Sequence, residues 1–371
     1  MAEPVSVLHL IKGLGPGGAE QLLVEQAQGR DRDRFRYEVD YLVAEKDHMV
    51  PHLRAAAVPV RRLAGRAWPL ALRARLARGD VDVVHAHSPL LAAAARTASR
   101  SLPAASRPKL VTTEHNRWPR HHRLTRTVNQ LTLGWDDATL AVSDDVRATM
   151  PASADIESLV HGIDGDAVRR HQGARASVRA ELGLGPDHVV IANIANYRAE
   201  KAHEVLMAAA ASALADNPTL RFVLIGQGPR ADQMAALHRD LGLGDRVQLL
   251  GYRPDATRLL AGADGFTLSS RHEGLPVALM EALAMGLPVV ATRAGGIPQA
   301  VEHGREALLV DVDDTDGLAG AYRRLASSAE LRRRLGAAAR HRADAFDVER
   351  TVRHLEQLYT RLRAGEPASS R

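Results

Sequence analysis

Short apolar runs recur along the chain, each broken by a polar or glycine-bearing turn and followed by residues with helical spacing. Strands are predicted at 5–11, 37–43, 58–63, 81–86, 139–143, 189–195, 222–225, 247–250, 288–291 and 307–310. Two more end near 116 and near Leu268. Helices are predicted at 90–100, near 174–182, and from Pro276 to about Met285, where Gly286 offers the left-handed stop. A further helix ends at Pro151, and the last carries Val348, Val352, Leu355, Leu358, Tyr359 and Leu362 on one stripe. Repeated strand–loop–helix units specify an α/β fold built on parallel sheets.

The 371 residues suit two or three domains. The expected division is a first domain at 1–165, joined by the helix at 346–364, then a polar linker at 166–187. A second domain follows at 188–345, and a disordered tail at 365–371. Hydrophobic residues make up 45% and charged ones 25%, enough for real cores in a globular enzyme. The absence of cysteine excludes disulfides, thiolate metal sites and a thiol nucleophile. No signal peptide or membrane-spanning run is read at the N-terminus, so the expectation is cytoplasmic, with the inner membrane face left open. Net charge is only +5 although the pI is 9.8. Four of the 49 basic residues are lysines (Lys12, Lys46, Lys109, Lys201), so 45 are arginine, and location says more than total.

Chemistry concentrates at 263–301, where two loops each lead into a helix. Helix starts carry unpaired N–H groups and attract anions such as phosphate. Glu273 lies in the first loop and Glu281 about a turn and a half into its helix. A carboxylate accepting from vicinal hydroxyls is a common way to hold a ribose or a sugar. A diphosphate site flanked by two such acceptors suits a nucleotide sugar. By spacing alone, a solvated Glu281 and a favourable first-turn Glu273 explain the same residues equally well.

Other patterns compete. Gly13-x-Gly15-x-x-Gly18 satisfies the dinucleotide fingerprint, with Asp40 near the expected distance. An NAD-dependent oxidoreductase is therefore a rival, although Asp40 is expected mid-strand rather than at a strand end. A non-catalytic sugar-nucleotide-binding module is a second rival. His85 and His87 share one strand face and suit a metal, but no third ligand is evident nearby. Asp311-x-Asp313 follows a strand and precedes a helix, where aspartate commonly caps, and similar pairs occur elsewhere in the chain. No metal is expected. Between Arg96 and Arg126 eight basic residues face one acid, Glu114, a local +7 with Trp118, His121 and His122 among them. That composition suits an anionic lipid surface or a phosphate-bearing acceptor, and equally a solvated basic face. No nucleic-acid recognition motif accompanies it.

Glu273-Gly274-Leu275-Pro276, four residues, then Glu281-Ala282 resembles the Glu-x7-Glu signature of family 4 retaining glycosyltransferases. Gly286-Leu287-Pro288-Val289-Val290-Ala291-Thr292 and Gly295-Gly296-Ile297-Pro298 are similar to the same family. The resemblance implies the GT-B fold, two Rossmann-like domains facing across a cleft, with the last helix crossing back onto the first. It implies transfer of a sugar, with configuration retained, from a UDP- or GDP-sugar to a hydroxyl of a glycan, lipid-linked or small-molecule acceptor. The nucleotide sugar is a co-substrate, and no cofactor is implied. Donor-binding residues carried over are Gly17, Gly18, Arg198, Lys201, Arg253, Glu273, Gly274, Leu275, Pro276 and Glu281. Lys201 and Arg198 are assigned to the diphosphate, Glu281 to the ribose, and the loop containing Arg253 to the nucleobase. His115, in Thr113-Glu114-His115, and Glu273 are assigned to the sugar as catalytic residues. Arg117, Arg120 and Arg123 are the acceptor-binding candidates, from the basic segment. The sequence departs from the family at Gln299, often Glu, at Asn196, usually Arg, and at His161, usually Asn.

Overall fold

A computed structural model describes residues 3–152 and 154–368. The chain forms two compact units, Met1–Gly162 with Val348–Arg371, and Ile163–Asp347.

The first unit is built on seven strands: β1 Val5–Ile11, β2 Phe35–Tyr41, β3 Val60–Arg62, β4 Val83–Ala86, β5 Lys109–Glu114, β6 Ala138–Ala141 and β7 Ile156–Ser158. Their order is β3-β2-β1-β4-β5-β6-β7, every neighbouring pair parallel. Parallel neighbours require crossover connections, here mostly helical. β1 is buried along its whole length because helices cover both faces of such a sheet. The order reverses between β1 and β4, so the loops leaving those strands diverge and open a crevice at their C-terminal ends. In register there, His9 stands opposite His85.

The second unit repeats the scheme with β8 Val189–Ile194, β9 Leu220–Ile225, β10 Val247–Leu249, β11 Gly265–Leu268, β12 Val289–Thr292 and β13 Ala307–Val310. Their order is β10-β9-β8-β11-β12-β13, all parallel, and it reverses between β8 and β11.

Several expectations are corrected. Residues 166–187 are not a linker: the helices Gly165–Arg169 and Arg175–Glu181 fold onto the second unit. Val178 is buried, and Arg175 and Arg179 both pair with Asp264. The polar composition read as a linker because those partners lie far along the chain. Strand β7 and the helix Arg123–Thr132 had no predicted counterpart. Asp40 is the penultimate residue of β2, not mid-strand, and its carboxylate accepts from Arg61 Nε at 3.1 Å. The cap of the helix Thr315–Ser327 is Asp314, whose side chain accepts from Gly317 N, rather than Asp311 or Asp313. At the C-terminus, 366–368 are tied down, with Glu366 N donating to Arg361 O and Arg361 to Ala368 O. Residues 369–371 of the expected tail lie outside the described residues.

The helix Val348–Arg363 belongs with the first unit, as the family resemblance implied. Leu355, Leu358, Tyr359 and Leu362 join Val7, Phe35 and Tyr37 in one core cluster.

Candidate functional site

In the second unit the site grows from the two loops that leave β8 and β11, the adjacent strands at the order reversal. The first loop carries Lys201 and the second Glu273. Lys201 Nζ lies 2.7 Å from both carboxylate oxygens of Glu273, and Ser270 Oγ donates to Glu273 Oε1 at 2.6 Å. The sequence placed both residues in a donor site but could not show that they touch. Ser269 Oγ ties the loops together by donating to the carbonyls of Lys201 and Ala202 at 2.9 and 3.1 Å. Ala202 adopts a left-handed conformation at φ 47°, which turns the chain sharply after Lys201.

Gly295 of the following loop is sterically required. Gly295 has φ 52°, and a Cβ there would stand 1.9 Å from the carbonyl oxygen of Glu273. Gly296 N donates to Gly274 O at 3.0 Å, so this loop clamps the backbone around the carboxylate. Gly274, Leu275 and Pro276 lead into the helix Val277–Met285, with Pro276 at its N-cap and Gly286 at φ 81° closing it.

Glu281 faces a different environment. Its Oε1 accepts from Thr257 Oγ1 at 2.8 Å, and desolvation pushes its carboxyl up to about 7, the hydroxyl only partly opposing this. Some of the residue remains at the surface. Glu281 thus sits desolvated beside a hydroxyl, with no cationic partner among the described residues.

The remaining donor candidates differ. Arg198 is exposed. Arg253 is engaged, donating to Asp255 at 2.8 Å and to Glu181 at 2.7 Å, so its guanidinium serves an ion-pair network on its own surface. Asn193 holds Thr267 O at 2.8 Å and faces His203 Nε2 at 3.2 Å, bracing β8 against β11.

In the first unit, five histidines converge. His9 lies in β1, His85 and His87 come from β4 and the turn after it, His115 follows β5, and His161 follows β7. His9 Nδ1 and His87 Nε2 are 3.0 Å apart, and His87 Nδ1 and His115 Nε2 are 3.3 Å apart. His161 stacks on His115 with ring centroids 5.8 Å apart at 10°. His85 is held by Tyr359 Oη at 2.6 Å and Thr113 Oγ1 at 2.7 Å. Burial lowers every one of them: His9 and His161 to about 3, His115 to about 4, His85 and His87 well below the ordinary range. All five are therefore neutral at pH 7.

The sequence singled out His115 and the His85–His87 pair. It missed His9, the third residue that completes a group of metal-ligand geometry with them, because His9 sits 76 residues upstream of His85 on the neighbouring strand. His161 carried one signal, a departure from the family pattern. In the loop after β1, none of Gly13, Gly15, Gly17 and Gly18 has a positive φ. An added Cβ at Gly13 or Gly17 would meet only the side chains of Lys46 or Glu20. The fold there does not demand glycine for its backbone conformation, which leaves close approach of another molecule as a reason for it.

The basic segment is less available than its charge suggests. Arg96 is buried, bonded to Asp136, Asn129 and Thr112, and Lys109 pairs with Asp137. Arg117 lies 3.4 Å from Asp145. Trp118 is a core residue packed with Leu133, Val142 and Val146, not a surface aromatic. Arg120 and Arg123 remain at the surface, beside a helix that exposes Leu124 (68%), Val128 (36%) and Leu131 (76%). Sequence alone could not divide these arginines, since burial depends on acids supplied from other elements.

Among the described residues no helix is long and apolar enough to cross a membrane. The sequence pattern described as Glycosyl transferases group 1 matches residues 174–342, and that described as Glycosyltransferase Family 4 matches residues 5–164. N-acetyl-alpha-D-glucosaminyl L-malate synthase of Bacillus anthracis is 27% identical over 304 residues, 79% of each chain. D-inositol 3-phosphate glycosyltransferase of Saccharomonospora viridis is 32% identical over 252 residues, spanning 63% of this chain but only 58% of that protein. HepE of Anabaena, solved with UDP and glucose, aligns with a TM-score of 0.81 at 24% identity, covering 96% of this chain and 98% of HepE. The fold is that of GT-B glycosyltransferases, and with one family pattern matched to each half, the chain belongs to the family 4, group 1 glycosyltransferases.

Proposed function

We propose that this glycosyltransferase moves a sugar from a nucleoside diphosphate sugar to an acceptor hydroxyl, retaining the anomeric configuration and needing no metal at the diphosphate. The observation that carries the reading is the Lys201–Glu273 pair, in which each residue holds the other across the two loops at the strand-order reversal. Lys201 would turn to the diphosphate, stabilising the leaving group, while Glu273 accepts from sugar hydroxyls. Glu281 would accept from the ribose hydroxyls, and its desolvation makes those bonds worth more than in water. Arg198, exposed beside Lys201, would add a second cation to the phosphates. Gly17, Gly18 and His115 are the first unit's candidates for donor contact.

UDP is favoured over GDP by the ligands of HepE, which was solved with UDP and with UDP-glucose. An acceptor on an anionic membrane surface is supported by Arg120 and Arg123 flanking the exposed Leu124, Val128 and Leu131, the composition of an interfacial helix. The oxidoreductase reading loses support because the Asp40 carboxylate, which would hold a dinucleotide ribose, is bonded to Arg61.

The test is a panel of UDP- and GDP-sugars assayed for release of the nucleoside diphosphate, with and without EDTA. Donor-dependent release that survives chelation is expected. Binding without release would leave a non-catalytic module, and loss on chelation restored by manganese would remove the metal-free mechanism.

A further inference from the structure

The three imidazoles His9, His87 and His115 form a continuous chain with contacts of 3.0 and 3.3 Å. Each is neutral, so each carries one N–H, and two arrangements satisfy both contacts. In one, protons point outward: His9 Nδ1–H donates to His87 Nε2, and His87 Nδ1–H donates to His115 Nε2. In the other, every proton is reversed. Any mixed arrangement sets two lone pairs or two N–H groups against each other.

The end of the chain decides between them. His9 Nε2 is buried and has no hydrogen-bond partner among the described residues. Outward donation leaves a bare lone pair at that atom, whereas the reversed chain buries an N–H with nothing to receive it. Orphaned buried N–H groups are the rarer of the two in native structures. The side chains of His85 are already committed to Tyr359 and Thr113, so His85 does not compete for the chain.

We propose that His9 and His87 are positioning residues that hold His115 as its Nδ1–H tautomer, so that His115 offers a hydrogen-bond donor, not an acceptor, to the transferred sugar. Nδ1 of His115 has no partner among the described residues, and the residue is half-buried. The stacked His161 ring restrains its plane. This rests on the reading that His115 meets the donor. A metal at His9, His85 and His87 is the competing use of the same nitrogens. It is disfavoured because both nitrogens of His85 and of His87 are already bonded, leaving one open nitrogen where a metal needs three.

The experiment is a long-range proton–nitrogen correlation spectrum of the 15N-labelled full chain at neutral pH, with histidines assigned by single variants. Nδ1 protonated and Nε2 bare on His115 is expected, and the opposite tautomer in the wild type overturns the proposal whether or not any sugar is transferred. His9→Leu removes the donor to His87 and should let His115 interconvert between tautomers, with kcat falling about tenfold and donor KM changing little. His9→Asn places an amide N–H near the lost Nδ1–H and should restore both the tautomer and most of kcat. Equal losses in the two variants with an unchanged His115 tautomer would overturn it. So would stoichiometric zinc in the purified wild type that His9→Leu abolishes.

Discussion

The two units carry their chemistry at equivalent places, the loops at a reversal of strand order, yet they treat charge in opposite ways. In the second unit a cation and an anion meet directly, a partly exposed Lys201 on a buried Glu273. The first unit gathers five titratable side chains and strips them of charge by burial. The difference follows from what surrounds each group. Lys201 Nζ and Ser270 Oγ both donate to the Glu273 carboxylate. Around the histidines stand Tyr37, Tyr359 and one another, which solvate a neutral imidazole well and an imidazolium badly. On the proposed function, the first arrangement suits a charged leaving group and the second suits directional hydrogen bonds.

Acid should break the contrast most strongly. The histidines have folded values depressed below the unfolded 6.5, so the stability they permit is full above about pH 6.5 and is lost as pH falls toward 3–4. Each costs roughly 1.4 kcal/mol per pH unit below 6.5. With five involved, the first unit should open several kcal/mol more easily at pH 5 than at pH 7.5. Hydrogen exchange followed separately in the two units would show the first unit deprotected ahead of the second. Simultaneous loss of protection would refute a histidine origin.

Glu273→Gln attacks the charged site. It removes the partner of Lys201 and the acceptor for the sugar, and kcat should fall on the order of 100-fold, with a smaller change in donor affinity. Wild-type kinetics with the correct donor would end this assignment.

Glu281→Gln sharpens the comparison, because Glu281 is a desolvated group within the second unit. Its folded value is raised to about 7, so its stabilising protonated form is complete below the unfolded value and is lost as pH rises through about 7. The variant should therefore match the wild type in stability near pH 4 and exceed it at pH 8, by about 1–2 kcal/mol after allowing for partial exposure. Donor affinity should fall about tenfold. Thermal melts at both pH values, with and without the nucleotide, separate the gain from the loss.

The smallest effect is expected at the surface. Replacing Arg120 and Arg123 with serine should raise acceptor KM and weaken binding to anionic vesicles about two- to fivefold at low salt, less as salt increases. Donor affinity should not change. A wild-type protein indifferent to anionic vesicles would remove the membrane-borne acceptor.

The sequence by itself determined the repeated strand–loop–helix units and the local motifs around Glu273 and Glu281. Strand runs, turn glycines and the Pro276–Gly286 helix are encoded within a few residues of where they act. Lys201 and His115 were reached by register against a family pattern rather than by any property of their neighbours. Tertiary structure decided everything that depends on strand order. Lys201 and Glu273 are 72 residues apart, and His9 and His87 are 78 apart, yet each pair is within bonding distance because their strands are neighbours in a parallel sheet. Spacing along a chain reports the period of one element and carries no record of which element lies beside it. For the same reason Arg96 read as part of a basic surface and proved to be a core residue bonded to Asp136. Whether a charge is solvated, paired or suppressed depends on groups brought from elsewhere, and only the folded chain specifies them.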